Sequence, residues 1–157
     1  IWKEVVKVTE IDPKTPMPKV VFLKKTDPEY LGMCCPDGNV EIYLGSIRGM
    51  LWSARDAYNK SDGRDGYDIG YTEGKAYIYG SVAHEMLHDA LNHKRVPGNL
   101  QHRQMKDKGY FLQVLSYIND YFKINADFKS NRNGYQVDLS MKSLEEGIKK
   151  DDKKIAK

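Results

Sequence analysis

The chain has 157 residues, of which 40% are hydrophobic and 30% charged, with a net charge of +3. That size and apolar share fit one compact domain with its own core and exclude a disordered chain. No run of about eighteen apolar residues occurs, which excludes a membrane-spanning helix.

In chain order, Val5-Val6-Lys7-Val8 and Val20-Val21-Phe22-Leu23 are rich in β-branched residues and read as strands, with Pro13, Pro16 and Pro18 between them. Cys34 and Cys35 are the only cysteines. Being adjacent, they cannot staple distant parts of a fold, and without a second pair they cannot form a zinc ribbon. A reducing, intracellular setting fits this usage, or a virion if the chain is phage-encoded. Cys35-Pro36-Asp37-Gly38-Asn39 is a turn by composition, leading into a strand over Val40-Glu41-Ile42-Tyr43-Leu44.

Ser46 is placed to cap a following helix whose core face would carry Ile47, Met50, Leu51, Ala54 and Tyr58. Residues 59–74 are polar and glycine-bearing and read as a long loop. A helix is expected from about Ala76 to Arg95, with Ala76, Tyr79, Ala83, Leu87 and Ala90 on its apolar face and Pro97-Gly98 ending it. Asn99 suits the cap of the next helical turn, and Phe111, Val114, Leu115, Ile118, Tyr121 and Phe122 mark another core-facing helix. Residues 134–139 read as a short strand. Ser143-x-x-Glu146 has the form of a capping box that opens a terminal helix. The organisation expected is a domain over residues 1–140 and a basic helix or tail over 141–157. Lys149, Lys150, Lys153, Lys154 and Lys157 make that tail a weak nucleic-acid contact at most.

The chemistry concentrates at His84-Glu85-Met86-Leu87-His88, a His-Glu-x-x-His sequence inside the central predicted helix. One helical turn separates the two imidazoles, so both project from one face and suit a single Zn²⁺. Glu85, beside a ligand, suits a general base. A catalytic zinc takes three protein ligands and leaves a position for water. His93 lies about 140° round an unbroken helix from His88 and points away unless the helix ends early. His102 follows the Pro97-Gly98 turn, where the chain can fold back, and this geometry favours it as the third ligand. A carboxylate from Asp107, Asp120 or Glu145 is the remaining option. Asp89 is either an orienting partner for a ligand imidazole or solvated. Tyr71, Tyr77, Tyr110 and Arg103 are candidates for stabilising an oxyanion.

Three stretches together resemble the SprT-like zinc metalloproteases, a group of zincins. Gly32-Met33-Cys34 with the strand after it is similar to that family's Gly-x-Cys turn and strand. Val82 to His88 is similar to its His-Glu-Met-x-His helix, and His102 sits near its third zinc ligand. The resemblance implies a small α+β, zincin-like fold with a short mixed sheet packed on the His-Glu-x-x-His helix. It also implies that Val40, Glu41, Ile42, Tyr43 and Leu44 form an edge strand along which a peptide substrate pairs. The expected activity is zinc-dependent hydrolysis of peptide bonds, with His84, His88 and His102 as ligands and Glu85 activating the water. The rival reading is a non-catalytic zincin-fold structural or assembly protein, virion-associated for example, whose zinc is structural.

Overall fold

The computed structural model describes residues 1–49, 66–93, 96–121 and 148–153. Within these the chain is α+β: a small three-stranded mixed sheet with helices packed around it. The expected strand over 134–139, the Ser143 capping box and Met50 to Tyr58 lie outside the described residues.

The first element corrects the sequence reading. Val5 to Val8 belong to a helix, α1 (Trp2–Thr9), and not to a strand. Valine's β preference is weak when helical spacing of apolar residues gives better burial. Val5 is fully buried, Ile1, Trp2 and Val8 pack beside it, and Lys3, Glu4 and Lys7 stay off that face. Thr9 Oγ1 donates to the Val5 carbonyl at 2.6 Å, and Glu10 ends the helix in the left-handed region at φ 56°.

Strand β1 (Lys19–Leu23) runs parallel to β3 (Asn39–Tyr43), with Val20 opposite Val40 and Phe22 opposite Ile42. The short β2 (Gly32–Cys34) pairs antiparallel with the other side of β3, setting Gly32 against Ile42 and Cys34 against Val40. The order is therefore β1-β3-β2, with β3 in the centre. Val40, Ile42 and Tyr43 are buried, and Leu44 already lies in helical backbone. The expected edge strand at Val40 to Leu44 is thus the middle of the sheet, and β1 and β2 form its edges. A turn at Pro36–Gly38 joins β2 to β3, as the composition predicts.

Helix α2 occupies residues 44–49. Ser46 lies inside it and does not cap it. Its hydroxyl accepts from the Asp27 backbone N–H at 2.7 Å and donates to the Asp27 carbonyl at 3.1 Å. Helix α3 (Gly66–Ala90) begins ten residues before the expected start, so residues 66–74 are helix and not loop. Glycine disfavours helix by about 1 kcal/mol relative to alanine, a cost that does not forbid it. The helix also ends earlier than Pro97. Asn92 takes φ 54°, a left-handed turn that asparagine tolerates and that stops the helix after Ala90.

Helix α4 (Gly98–Asp107) starts with Pro97 in the capping position, ahead of the expected Asn99. Helix α5 (Tyr110–Tyr121) buries Phe111, Val114, Leu115 and Ile118 as its periodicity predicts, but Tyr121 is exposed. Residues 148–153 form a final helix, α6. The core joins Val5 of α1, Val40 and Ile42 of β3, and Val82, Ala83, Met86 and Leu87 of α3 to the inner face of α5. Among the described residues no helix is long and apolar enough to cross a membrane.

The helical reading of α1 is testable by urea denaturation. Val5→Ala should cost about 1–3 kcal/mol, while Val6→Ala on the half-buried flank costs clearly less. Equal losses at both positions would contradict this packing.

Candidate metal centre

Two packed helices create the site. α3 carries His84, Glu85 and His88 in its last two turns, and α4 returns His102 to the same place. The early stop at Asn92 makes this return possible. Gln101 then secures the connection, its Nε2 donating to the carbonyls of His93 and Val96 at 2.9 Å each.

The three rings form a nearly equilateral triangle. Centroids of His84 and His88 are 4.8 Å apart, His84 and His102 5.1 Å, and His88 and His102 5.0 Å. One ligand atom from each lies within 4.8 Å of the others, and His84 Nε2 is 3.1 Å from His88 Nε2. Nitrogens bound tetrahedrally at about 2.0–2.1 Å from one ion sit about 3.4 Å apart. The cluster is thus arranged as a possible metal-binding site. Asp107 and Asp120 are exposed and do not join it, while Glu145 lies outside the described residues.

The hydrogen-bond partners of the outer ring nitrogens decide which nitrogens carry lone pairs. His93 Nε2 is 2.9 Å from Gln104 Oε1, an acceptor, so that nitrogen donates. His93 Nδ1 is then an acceptor, and it lies 2.7 Å from His88 Nδ1, which must donate to it. The lone pair of His88 is left on Nε2, facing His84. His102 follows the same rule, with Nδ1 donating to Asp151 Oδ2 at 2.8 Å and Nε2 left as the acceptor. Outer partners that fix a ligand's tautomer in this way are a recurrent feature of metal sites.

Burial acts on the same groups. His88 and His93 are buried, and Phe111 packs edge-on against His84 with ring centroids 5.6 Å apart. Burial, followed by the neighbouring His102 and His93, pushes His84 down to about 3. Burial pushes His88 well below its usual range as well, reinforced by His84, His102 and His93. Burial also lowers His93, although Gln104 works the other way. Neutral imidazoles with converging lone pairs are the form in which histidine binds a metal.

Glu85 is buried between this cluster and the sheet, and burial raises its carboxyl from 4.5 to about 8. A hydrogen bond from the Cys34 backbone N–H works in the opposite direction. Strand β2 therefore presses directly on Glu85. A Cβ built on Gly32 would lie 3.4 Å from Glu85 Cγ and only 2.6 Å from the Glu41 carbonyl oxygen, so this approach requires glycine.

Other expectations resolve less simply. His93 does turn back toward the cluster, but it supports His88 and stands outside the triangle. Asp89 Oδ1 lies 3.6 Å from Cys35 Sγ, and the ligand atoms of Cys34, Cys35 and Asp89 lie within 4.8 Å of one another. Tyr77 belongs to the core and Arg103 pairs with Asp152. Tyr110 is half-buried at the start of α5, and the side chain of Tyr71 lies outside the described residues. Sequence reasoning missed Gln104 and Asp151. Gln104 had a faint signal, since helical spacing puts it beside Gln101 and the buried Met105 on the inner side of α4. Asp151 had none. The chain matches no protein-family model, no curated protein and no solved structure.

The buried groups give opposite pH dependences in metal-free protein. His84 is depressed from 6.5 to about 3, so the stability it contributes is present above 6.5 and is lost as pH falls below that value. Glu85 is raised from 4.5 to about 8, so its contribution is present below 4.5 and is lost as pH rises toward 8. In chelator, Glu85→Gln should therefore stabilise the protein at pH 8 by on the order of a few kcal/mol relative to its effect at pH 5. Denaturant titrations at the two pH values measure this, and an equal effect at both would show that Glu85 ionises freely.

Proposed function

We propose that this chain is a zinc-dependent endopeptidase with a zincin-like fold. The carrying observation is the convergence of His84, His88 and His102 with Glu85 buried beside them. Three imidazoles are the ligand number of a catalytic Zn²⁺, whereas a closed structural site uses four protein ligands. When bound, the ion would supply Lewis acidity, polarising a scissile carbonyl and lowering the pKa of a water.

The chain's own groups account for the rest of the reaction. Glu85 takes the proton from the attacking water and later returns it to the leaving amine. Burial raises its carboxyl in the metal-free protein, and a neighbouring Zn²⁺ would act in the opposite direction by favouring the ionised base. The Cys34 N–H fixes the carboxylate from the sheet side.

A substrate backbone cannot pair along the central β3. The Tyr43 N–H donates to the Leu31 carbonyl at 2.8 Å, so alternation turns the backbone groups of Gly32 and Cys34 away from β3. One of these groups, the Cys34 N–H, is already the donor to Glu85 and Gly32 is buried, so this side of β2 is the wall of the site.

Purified protein should carry about one zinc per chain. Glu85→Gln should retain the metal while losing about 10²- to 10⁴-fold in peptide hydrolysis, self-cleavage included. Undiminished hydrolysis by this variant would refute the proposal and leave a structural role for the metal. Metal analysis of His102→Ala should show far lower occupancy than His93→Ala, because the first removes a ligand and the second only the support of one.

A further inference from the structure

The terminal helix α6 contacts the metal centre from outside. Asp151 is half-buried and accepts from His102 Nδ1, although 49 positions separate them in sequence. The neighbouring Asp152 binds Arg103 at 2.5 Å, Lys150 Nζ reaches the Glu29 carbonyl at 3.4 Å, and Ile148 is buried. These contacts differ in kind. The Arg103 pair is exposed, and such pairs contribute little to stability. The His102 bond is shielded and ends on the imidazole whose ring centroid lies 5.1 Å from that of His84 and 5.0 Å from that of His88.

We infer that α6 is an outer wall of the metal centre, in which Asp151 positions His102 and docking of the helix is linked to metal binding. A carboxylate on Nδ1 holds the ring in one tautomer and one orientation and makes Nε2 a stronger donor to the ion. His88 obtains its orientation from His93 and Gln104, which sit on the same pair of helices as the ligands. His102 obtains its orientation from a remote segment. Metal binding favours the state in which His102 is oriented, and that is the state in which Asp151 is docked. By linkage, Zn²⁺ should therefore tighten α6 on the body of the protein. The inference rests on the triad being a metal site and does not require peptidase activity.

The test uses full-length protein and Zn²⁺ alone, with affinity measured by competition against a chromophoric chelator. Asp151→Ala should weaken zinc binding about 10- to 100-fold. Asp151→Asn, which still offers an acceptor, should weaken it less, while Asp152→Ala should change it by less than about 2-fold. The Co²⁺-substituted protein should show an altered visible absorption spectrum in Asp151→Ala and an unaltered one in Asp152→Ala, which separates ligand positioning from loss of docking. Hydrogen exchange over residues 148–153 should slow when zinc is added to the wild type and should not respond in Asp151→Ala. Unchanged zinc affinity in Asp151→Ala, or equal losses from the two aspartate variants, would overturn the inference. So would zinc-independent exchange over α6 in the wild type. Failure of His102→Ala to reduce zinc binding would instead reject the triad itself.

Discussion

Packing three imidazoles into one shielded space is the constraint on which the rest of the structure depends. Each ring has two nitrogens, and a buried polar group without a partner costs about 1–3 kcal/mol. The inner nitrogens cannot all donate to one another, because donors would then meet donors. The outer nitrogens of His88 and His102 must therefore be the protonated ones, and each needs an acceptor. Gln104, reached through His93, serves His88, while Asp151 serves His102. The early stop of α3 at Asn92, the Gln101 bonds across the connection and the placement of α6 bring those acceptors to the rings.

The sheet serves the same site from the opposite side. With three strands among the described residues it adds modestly to the core, but it fixes where β2 lies. Register against β3 sets Gly32 opposite Ile42, and the missing Cβ lets the strand close onto Glu85. The Cys34 N–H then supplies a hydrogen bond that favours the ionised carboxylate against burial. A side chain at position 32 would meet the Glu41 carbonyl before reaching Glu85, so the strand itself would have to move. The same glycine thus governs sheet pairing and the environment of the proposed base.

The centre of the site was legible because it is local. One helical turn from His84 to His88 depends on nothing beyond the helix, and His102 follows a turn marked by Pro97 and Gly98. Strand β1 and the buried face of α5 were readable for the same reason, since their patterns lie in contiguous residues. The misreadings all needed tertiary information. Val5 and Val8 satisfy both a strand and a helix until Ile1 and Trp2 are seen on the same buried face. The strand at Val40 was recognised, but whether a strand is central or an edge depends on what pairs with each side. Gly66, Gly70 and Gly74 look like loop residues, yet the backbone carries helix straight through them. Asp151 is invisible in principle, since an aspartate in a lysine-rich tail reads as solvated until the fold brings it to His102.

The two supports differ in charge, and that difference makes the ligands unequal. His88 leans on a neutral chain through His93 to an amide, held on α3 and α4, the helices that carry the ligands. His102 leans on a carboxylate, the stronger acceptor, held on α6, where Arg103, the Glu29 carbonyl and the burial of Ile148 are contacts among the described residues. The charged acceptor among the described partners therefore comes from the segment farthest along the chain. On the proposed reading, donation by His102 to a metal is linked to α6, while the orientation of His88 rests on α3 and α4.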